Sequence, residues 1–150
     1  MTQDEYKKIL KMAIGNEVEA YEFYKGVSEK VSDSNIKKMF SQFADEELGH
    51  EKLLEGFLTG ASTMQFSESA DAKVSETVDK PKLSLNMKPA DAFALAMKNE
   101  EEAMNMYAEF AKASTDPAQK KMFQDLSNME KGHKTKIEEY YTNAAFVEAW

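Results

Sequence analysis

Glu47-Leu48-Gly49-His50 returns 83 residues later as Glu130-Lys131-Gly132-His133. Each copy is a Glu-x-x-His, which sets a carboxylate and an imidazole about one turn apart on the same side of a helix. The chain holds only 2 histidines, and both fall in this phrase. Upstream of each copy, at equal distance, stands a further glutamate: Glu17 for the first and Glu100 for the second. Glu17, Glu47, His50, Glu100, Glu130 and His133 therefore read as ligands of a two-metal site made by duplication of a helical hairpin.

The flanks carry the same period. Leu10, Ala13, Glu17, Ala20, Tyr24, Val27 and Val31 alternate spacings of three and four, the seam of a helix bundle. Ile36, Phe40, Phe43, Glu47, His50, Leu54 and Phe57 form a second seam, after a turn at Ser32-Asp33-Ser34 that supplies a capping residue. Phe93, Ala96, Glu100, Ala103, Tyr107 and Phe110 form a third, opened by Pro89. Phe123, Leu126, Glu130, His133, Ile137 and Tyr140 form a fourth, after Asp116-Pro117. Beyond the ligands, Lys37-Lys38-Met39-Phe40 recurs as Lys120-Lys121-Met122-Phe123. Asn16, Glu19, Ala20, Tyr24 and Asp33 recur as Asn99, Glu102, Ala103, Tyr107 and Asp116. The expected fold is all-α, a four-helix bundle with helices at about 4–31, 34–59, 89–114 and 117–142. Residues 1–150 are read as a single domain. The Ser-, Thr- and Asp-rich stretch at about 60–88 shows no sustained period and is read as one long crossover between helices 2 and 3, with Gly60 as the stop before it. The tail, 143–150, is apolar enough to be a short packed segment.

Composition narrows the function. A net charge of −8 argues against a nucleic-acid or anionic-membrane partner. With no cysteine, thiolate metal sites and disulfides are excluded. The N-terminus has no apolar leader and no stretch approaches the length of a membrane span, so a soluble cytoplasmic protein is expected. All 19 basic residues are lysine, and arginine, the usual partner of a buried carboxylate, is absent.

These facts make the metal reading specific. Four glutamates occupy seam positions where leucines would otherwise sit. Burying four unpaired carboxylates costs many kcal/mol or forces them to take up protons. Two divalent cations neutralise the four charges, and mixed carboxylate and imidazole ligands suit iron, manganese or zinc better than calcium or magnesium. A single Glu-x-x-His would be a weak signal, usually a solvated pair; two inward copies, each with its own upstream glutamate, are not. Glu46, Glu101, Glu102 and the Glu19/Glu22 pair lie off the seam and are expected on solvated faces, so that Glu46→Ala should leave metal binding alone. Tyr24 and Tyr107 share a face with Glu17 and Glu100, as core aromatics or as hydroxyls holding a ligand carboxylate. Gly49 and Gly132 either allow close helix approach or are inherited with the duplication. The 10 methionines read as flexible core filler.

At these residues the chain resembles the rubrerythrin branch of the ferritin-like superfamily, the erythrin domain in particular. The motifs are Ala13-Ile14-Gly15-Asn16-Glu17-Val18-Glu19-Ala20 with Tyr24, the Glu47/His50 pair, Ala96 to Ala103 with Tyr107, and the Glu130/His133 pair. Ferritin proper resembles it less, lacking the histidine that His133 supplies. The resemblance implies a ferritin-like bundle holding two iron ions through the six residues, with Tyr24 and Tyr107 beside them. It implies reduction of hydrogen peroxide, or in some members activation of dioxygen, in protection against oxidative stress. The rubredoxin-like module of rubrerythrins has four cysteines and this chain has none, so an external donor such as a rubredoxin-like protein is expected to supply electrons. A homodimer is the expected assembly. The typical rubrerythrin also carries an additional glutamate where Ala103 stands, with Ala20 as its symmetry mate. Neither alanine offers a donor atom, so the two halves of the site are expected to be nearly equivalent. The alternatives are an iron-handling protein that oxidises Fe(II), and a structural bundle stabilised by its metals.

Overall fold

The computed structural model describes residues 3–60 and 82–142. It contains four helices: α1 (Gln3–Lys30), α2 (Ser34–Thr59), α3 (Pro89–Ala113) and α4 (Pro117–Thr142). Helix α1 pairs with α2 and α3 with α4, so the two sequence repeats are two helical hairpins. The architecture is an all-α four-helix bundle. Among the described residues no helix is long and apolar enough to cross a membrane. Most of the expected crossover (61–81) and the expected tail (143–150) lie outside the described residues, as does the side chain of Tyr140.

Local chemistry sets the helix ends. Asp33 caps α2, its carboxylate accepting from the backbone N–H of Asn35 at 2.8 Å and of Ile36 at 3.0 Å. Asp116, its counterpart in the repeat, accepts from the N–H of Gln119 at 3.3 Å at the start of α4. Pro89 opens α3 behind Lys88, whose side chain has no acceptor to offer as a cap; proline's fixed φ suits the first turn. Ser114 closes α3 by donating both its backbone N–H and its hydroxyl to the Phe110 carbonyl. Gly60 ends α2 at φ −89°, so its glycine is not used for a left-handed cap; its N–H bonds back to the Gly56 carbonyl.

The seams bury two apolar clusters. One gathers Tyr24, Val27, Val31, Ile36, Phe40, Phe43, Phe93, Ala96 and Ile137; the other gathers Tyr6, Leu10, Ala13, Leu54, Tyr107, Phe110, Phe123 and Leu126. The repeat is visible in the packing. Tyr24 lies 5.6 Å from Phe40 in one cluster, and Tyr107 lies 6.4 Å from Phe123 in the other. Interlocked aromatic pairs of this kind add about 0.5–1.5 kcal/mol each beyond their buried area.

Part of the stretch read as crossover is packed. Leu83 is buried in the first cluster, and its N–H donates to the Glu19 carboxylate at 2.5 Å. Leu85 lies on Gly26, where its Cδ1 leaves no room for an added Cβ. Glu19 is therefore not simply solvated, as its off-seam position implied: it holds the backbone that leads into α3. Residues 82–88 lack a helical period because they pack by individual side chains, not along a helix face.

Gly49 and Gly132 are a different case. A Cβ built on either meets nothing within 4 Å, so close helix approach is not why they are there. Gly49 is exposed within a continuous helix. Gly49→Ala is expected to stabilise the protein by about 0.5–1 kcal/mol, a rise in melting temperature of about 2–4 °C by thermal denaturation. A fall would mean that the backbone there departs from ordinary helix.

Candidate metal centre

The four helices each bring their seam carboxylate to one polar layer, with the apolar clusters to either side. Glu17 comes from α1, Glu47 and His50 from α2, Glu100 from α3, and Glu130 and His133 from α4. All six are buried, none more than 5 % exposed. Two overlapping quartets can each hold an ion: Glu17, Glu47, His50 and Glu130 in one, and Glu47, Glu100, Glu130 and His133 in the other. Within each quartet the donor atoms lie within 4.8 Å of one another. Glu47 and Glu130 belong to both quartets and could serve both ions. Glu17 and Glu100 belong to one each and could serve one ion apiece.

Both imidazoles turn Nδ1 inward. His50 Nδ1 stands 2.8 Å from Glu130 and 3.5 Å from Glu17; His133 Nδ1 stands 2.9 Å from Glu47 and 3.7 Å from Glu100. These approaches lack the angles of hydrogen bonds. Glu17 Oε2, Glu47 Oε1, His50 Nδ1, Glu100 Oε2, Glu130 Oε1 and His133 Nδ1 are buried without a hydrogen-bond partner among the described residues. One orphaned donor atom comes from each of the six. Buried polar atoms left unpaired cost about 1–3 kcal/mol apiece, and six convergent ones fit a pair of cations.

The tyrosines act across the hairpins. Tyr24 on α1 donates its hydroxyl to Glu100 on α3, and Tyr107 on α3 donates to Glu17 on α1 at 2.5 Å. Each terminal carboxylate is thus aimed by a hydroxyl from the opposite hairpin. Burial, reinforced by the charge of neighbouring glutamates, pushes both phenols well above their ordinary range, so they remain donors.

The metal-free layer keeps protons. Burial first, then the repulsion of Glu100, Glu130 and Glu17, holds the Glu47 carboxyl well above the usual range. Burial and the charge of Glu100 do the same to Glu130. Glu17 goes the other way: burial opposes its charge, but the closeness of Glu47, the positive potential of His50 and the Tyr107 hydroxyl together outweigh burial and lower it. At His133, burial works against the imidazolium, yet the nearby Glu100 carboxylate and the bond to Glu46 prevail and raise it to about 9. The three raised groups, Glu47, Glu130 and His133, mark where the layer favours positive charge.

One participant was not legible as such. Glu46, expected on a solvated face, bonds through its carboxylate to His133 Nε2. Its side chain is only 28 % exposed, and the His133 contact lowers its pKa. Glu46→Ala is therefore not a silent control. The only signal in the sequence was the acidic doublet Glu46-Glu47, and helical direction alone argued against it. Glu46 also lines a groove of about 380 Å³ between α2 and α4, which opens to solvent beside Lys38, Gln42, Met129, Gly132 and His133.

Comparison with known proteins agrees with this geometry. The Rubrerythrin family matches residues 8–141, which span all four helices. The chain belongs to the rubrerythrin family. Rubrerythrins include di-iron oxidoreductases, and the six buried ligand-type residues fall inside the matched span. The fold is also similar to that of a solved hypothetical protein from Pyrococcus furiosus, with a TM-score of 0.68 and 25 % identity over 91 % of this chain and 87 % of that one. Among curated proteins there is no significant match.

Proposed function

We propose that this rubrerythrin-family bundle is a di-iron redox protein that reduces hydrogen peroxide with electrons from a separate donor. The observation that carries the reading is the set of six orphaned, buried donor atoms in two quartets sharing Glu47 and Glu130. Two divalent ions held by these residues would balance the four carboxylates, and as iron(II) they would supply the two electrons that, with two protons, reduce peroxide to two waters. The chain's own residues do the positioning. Glu47 and Glu130 would serve both ions, Glu17 and Glu100 one each, and Tyr107 and Tyr24 keep those last two carboxylates in place. The apolar clusters flank the polar layer, and the groove of about 380 Å³ beside His133 has room for a molecule as small as peroxide. No cysteine is available to carry electrons within these residues.

An iron-handling reading, in which Fe(II) is bound and oxidised by dioxygen, draws on the same groove as an entry for ions. Stopped-flow oxidation of the Fe(II)-loaded protein by peroxide and dioxygen in parallel separates the two. Peroxide is expected to react faster, without sustained turnover until a rubredoxin-like donor and its reductant are added. Dioxygen winning under matched conditions puts iron handling first.

A further inference from the structure

The repeat sets the surroundings of the two histidines in correspondence, and there the halves differ. His133 is backed by Glu46, and His50 by the residue that stands at the same place in the other repeat, Met129. The His50 Nε2 atom lies 2.9 Å from Met129 Sδ, whereas His133 Nε2 meets the Glu46 carboxylate. One turn before, the pair Phe43 and Leu126 differs as well. Phe43 lies on the His133 ring, with centroids 4.3 Å apart and planes 30° from parallel; leucine has no ring to offer His50. Tyr24 adds an edge contact to His133 at 6.4 Å.

The expectation of nearly equivalent halves, which rested on Ala20 and Ala103, does not hold at this level. We propose that Glu46 is a positioning residue that makes the two metal positions unequal, so that the first divalent ion taken up lodges with His133, Glu47, Glu100 and Glu130. The proposal rests on the metal reading above. Its physical basis is simple. With Nδ1 facing the metal, Nε2 carries the proton and needs an acceptor. A carboxylate there fixes the tautomer, locks the ring and makes Nδ1 a stronger donor; losing such a partner typically weakens metal binding about 10–100-fold. A thioether is a weak acceptor and does none of this well. The ring contact of Phe43 further restricts rotation of His133, so less freedom is lost when the ion arrives. Glu46 also brings a further negative charge to this half, on the lining of the groove between α2 and α4.

Two unequal binding steps alone do not decide the matter, because Glu47 and Glu130 are shared and the second ion would bind more weakly even in a symmetric site. The location of the first ion decides it. Metal-free protein is titrated with Co(II) against a competing chelator, and crystals grown with one equivalent are examined by anomalous scattering. The wild type is expected to show the first ion at the His133 position with at least about tenfold preference. Glu46→Gln keeps an acceptor without the charge and should reduce that preference, and Glu46→Ala should abolish it. Met129→Glu, at an exposed position where folding is not at stake, should tighten the His50 position and even out the occupancies. The double variant Glu46→Met, Met129→Glu should move the first ion to His50. Equal occupancy in the wild type, or a preference untouched by Glu46→Ala and Met129→Glu, overturns the inference while leaving the two-metal reading intact. Failure to bind Co(II) at all overturns both.

Discussion

Chelation of the metal-loaded protein at pH 8 is expected to lower its melting temperature by about 15–30 °C. Two sites held at about 1,000 times their dissociation constants contribute about 8 kcal/mol by mass action, and in a chain of this size each kcal/mol is worth about 2–4 °C. The gap between the two forms should widen as pH rises. Glu47 and Glu130 have folded-state pKa values raised above the ordinary 4.5, by burial and by neighbouring carboxylates. Between 4.5 and those raised values the metal-free folded form holds more protons than the unfolded chain, so its stability falls as pH rises. His133 acts with the same sign: its contribution is complete below 6.5 and lost as pH climbs through about 9. Glu17 and Glu46, both lowered, contribute above 4.5 and lose that contribution on further acidification. The stripped protein should therefore be most stable near pH 5 and weaken toward pH 9. The loaded protein behaves otherwise, because metal must displace the protons on Glu47, Glu130 and His133, so its added stability grows with pH. Paired thermal melts at pH 5, 7 and 9, with and without metal, check this; a constant gap between the two forms would show that these three groups hold no displaceable protons.

Glu47→Gln should have opposite effects on the two forms. Glu47 belongs to both quartets, so its loss weakens both positions. Metal retained after desalting is expected to fall from two ions per chain to fewer than one, with affinity reduced at least about 100-fold. Glu17→Gln touches only the His50 quartet and should leave one ion in place. Glu101→Gln, on an exposed residue beside a ligand, should change nothing beyond about 0.5 kcal/mol. In the stripped protein the sign reverses. The Gln amide supplies permanently the hydrogens that Glu47 obtains only by taking up a proton beside Glu17, Glu100 and Glu130. Stripped Glu47→Gln should be more stable than stripped wild type at pH 8 by about 1–3 kcal/mol, in line with other neutralised buried charges. Elemental analysis and denaturant melts measure the two halves of the prediction. A variant that keeps two ions would remove Glu47 from the bridge.

The six residues of the polar layer could be read from the sequence because helical periodicity fixes the direction of a side chain about its own axis. Glu17, Glu47, His50, Glu100, Glu130 and His133 each sit where a core residue was due, and the constant repeat offset said that the two sets belonged together. The bundle followed from the same periodicity, and Asp33 and Asp116-Pro117 marked helix starts through local backbone chemistry. Contacts between helices are another matter. They depend on how far one helix slides and turns against its neighbour, and no periodicity within one helix carries that. The tertiary structure alone therefore decided that Glu47 and Glu130 are the shared pair, that Tyr24 serves Glu100 and Tyr107 serves Glu17, and that Leu83 packs into the core. It also decided the role of Glu46. About 100° off its own seam, Glu46 points away from the core of α2, yet the close approach of α4 carries His133 Nε2 out to meet it. A residue outside one helix's face is thus inside the reach of the next, because each buried histidine turns one nitrogen into the polar layer and leaves an outer one that must find a partner at the helix–helix boundary.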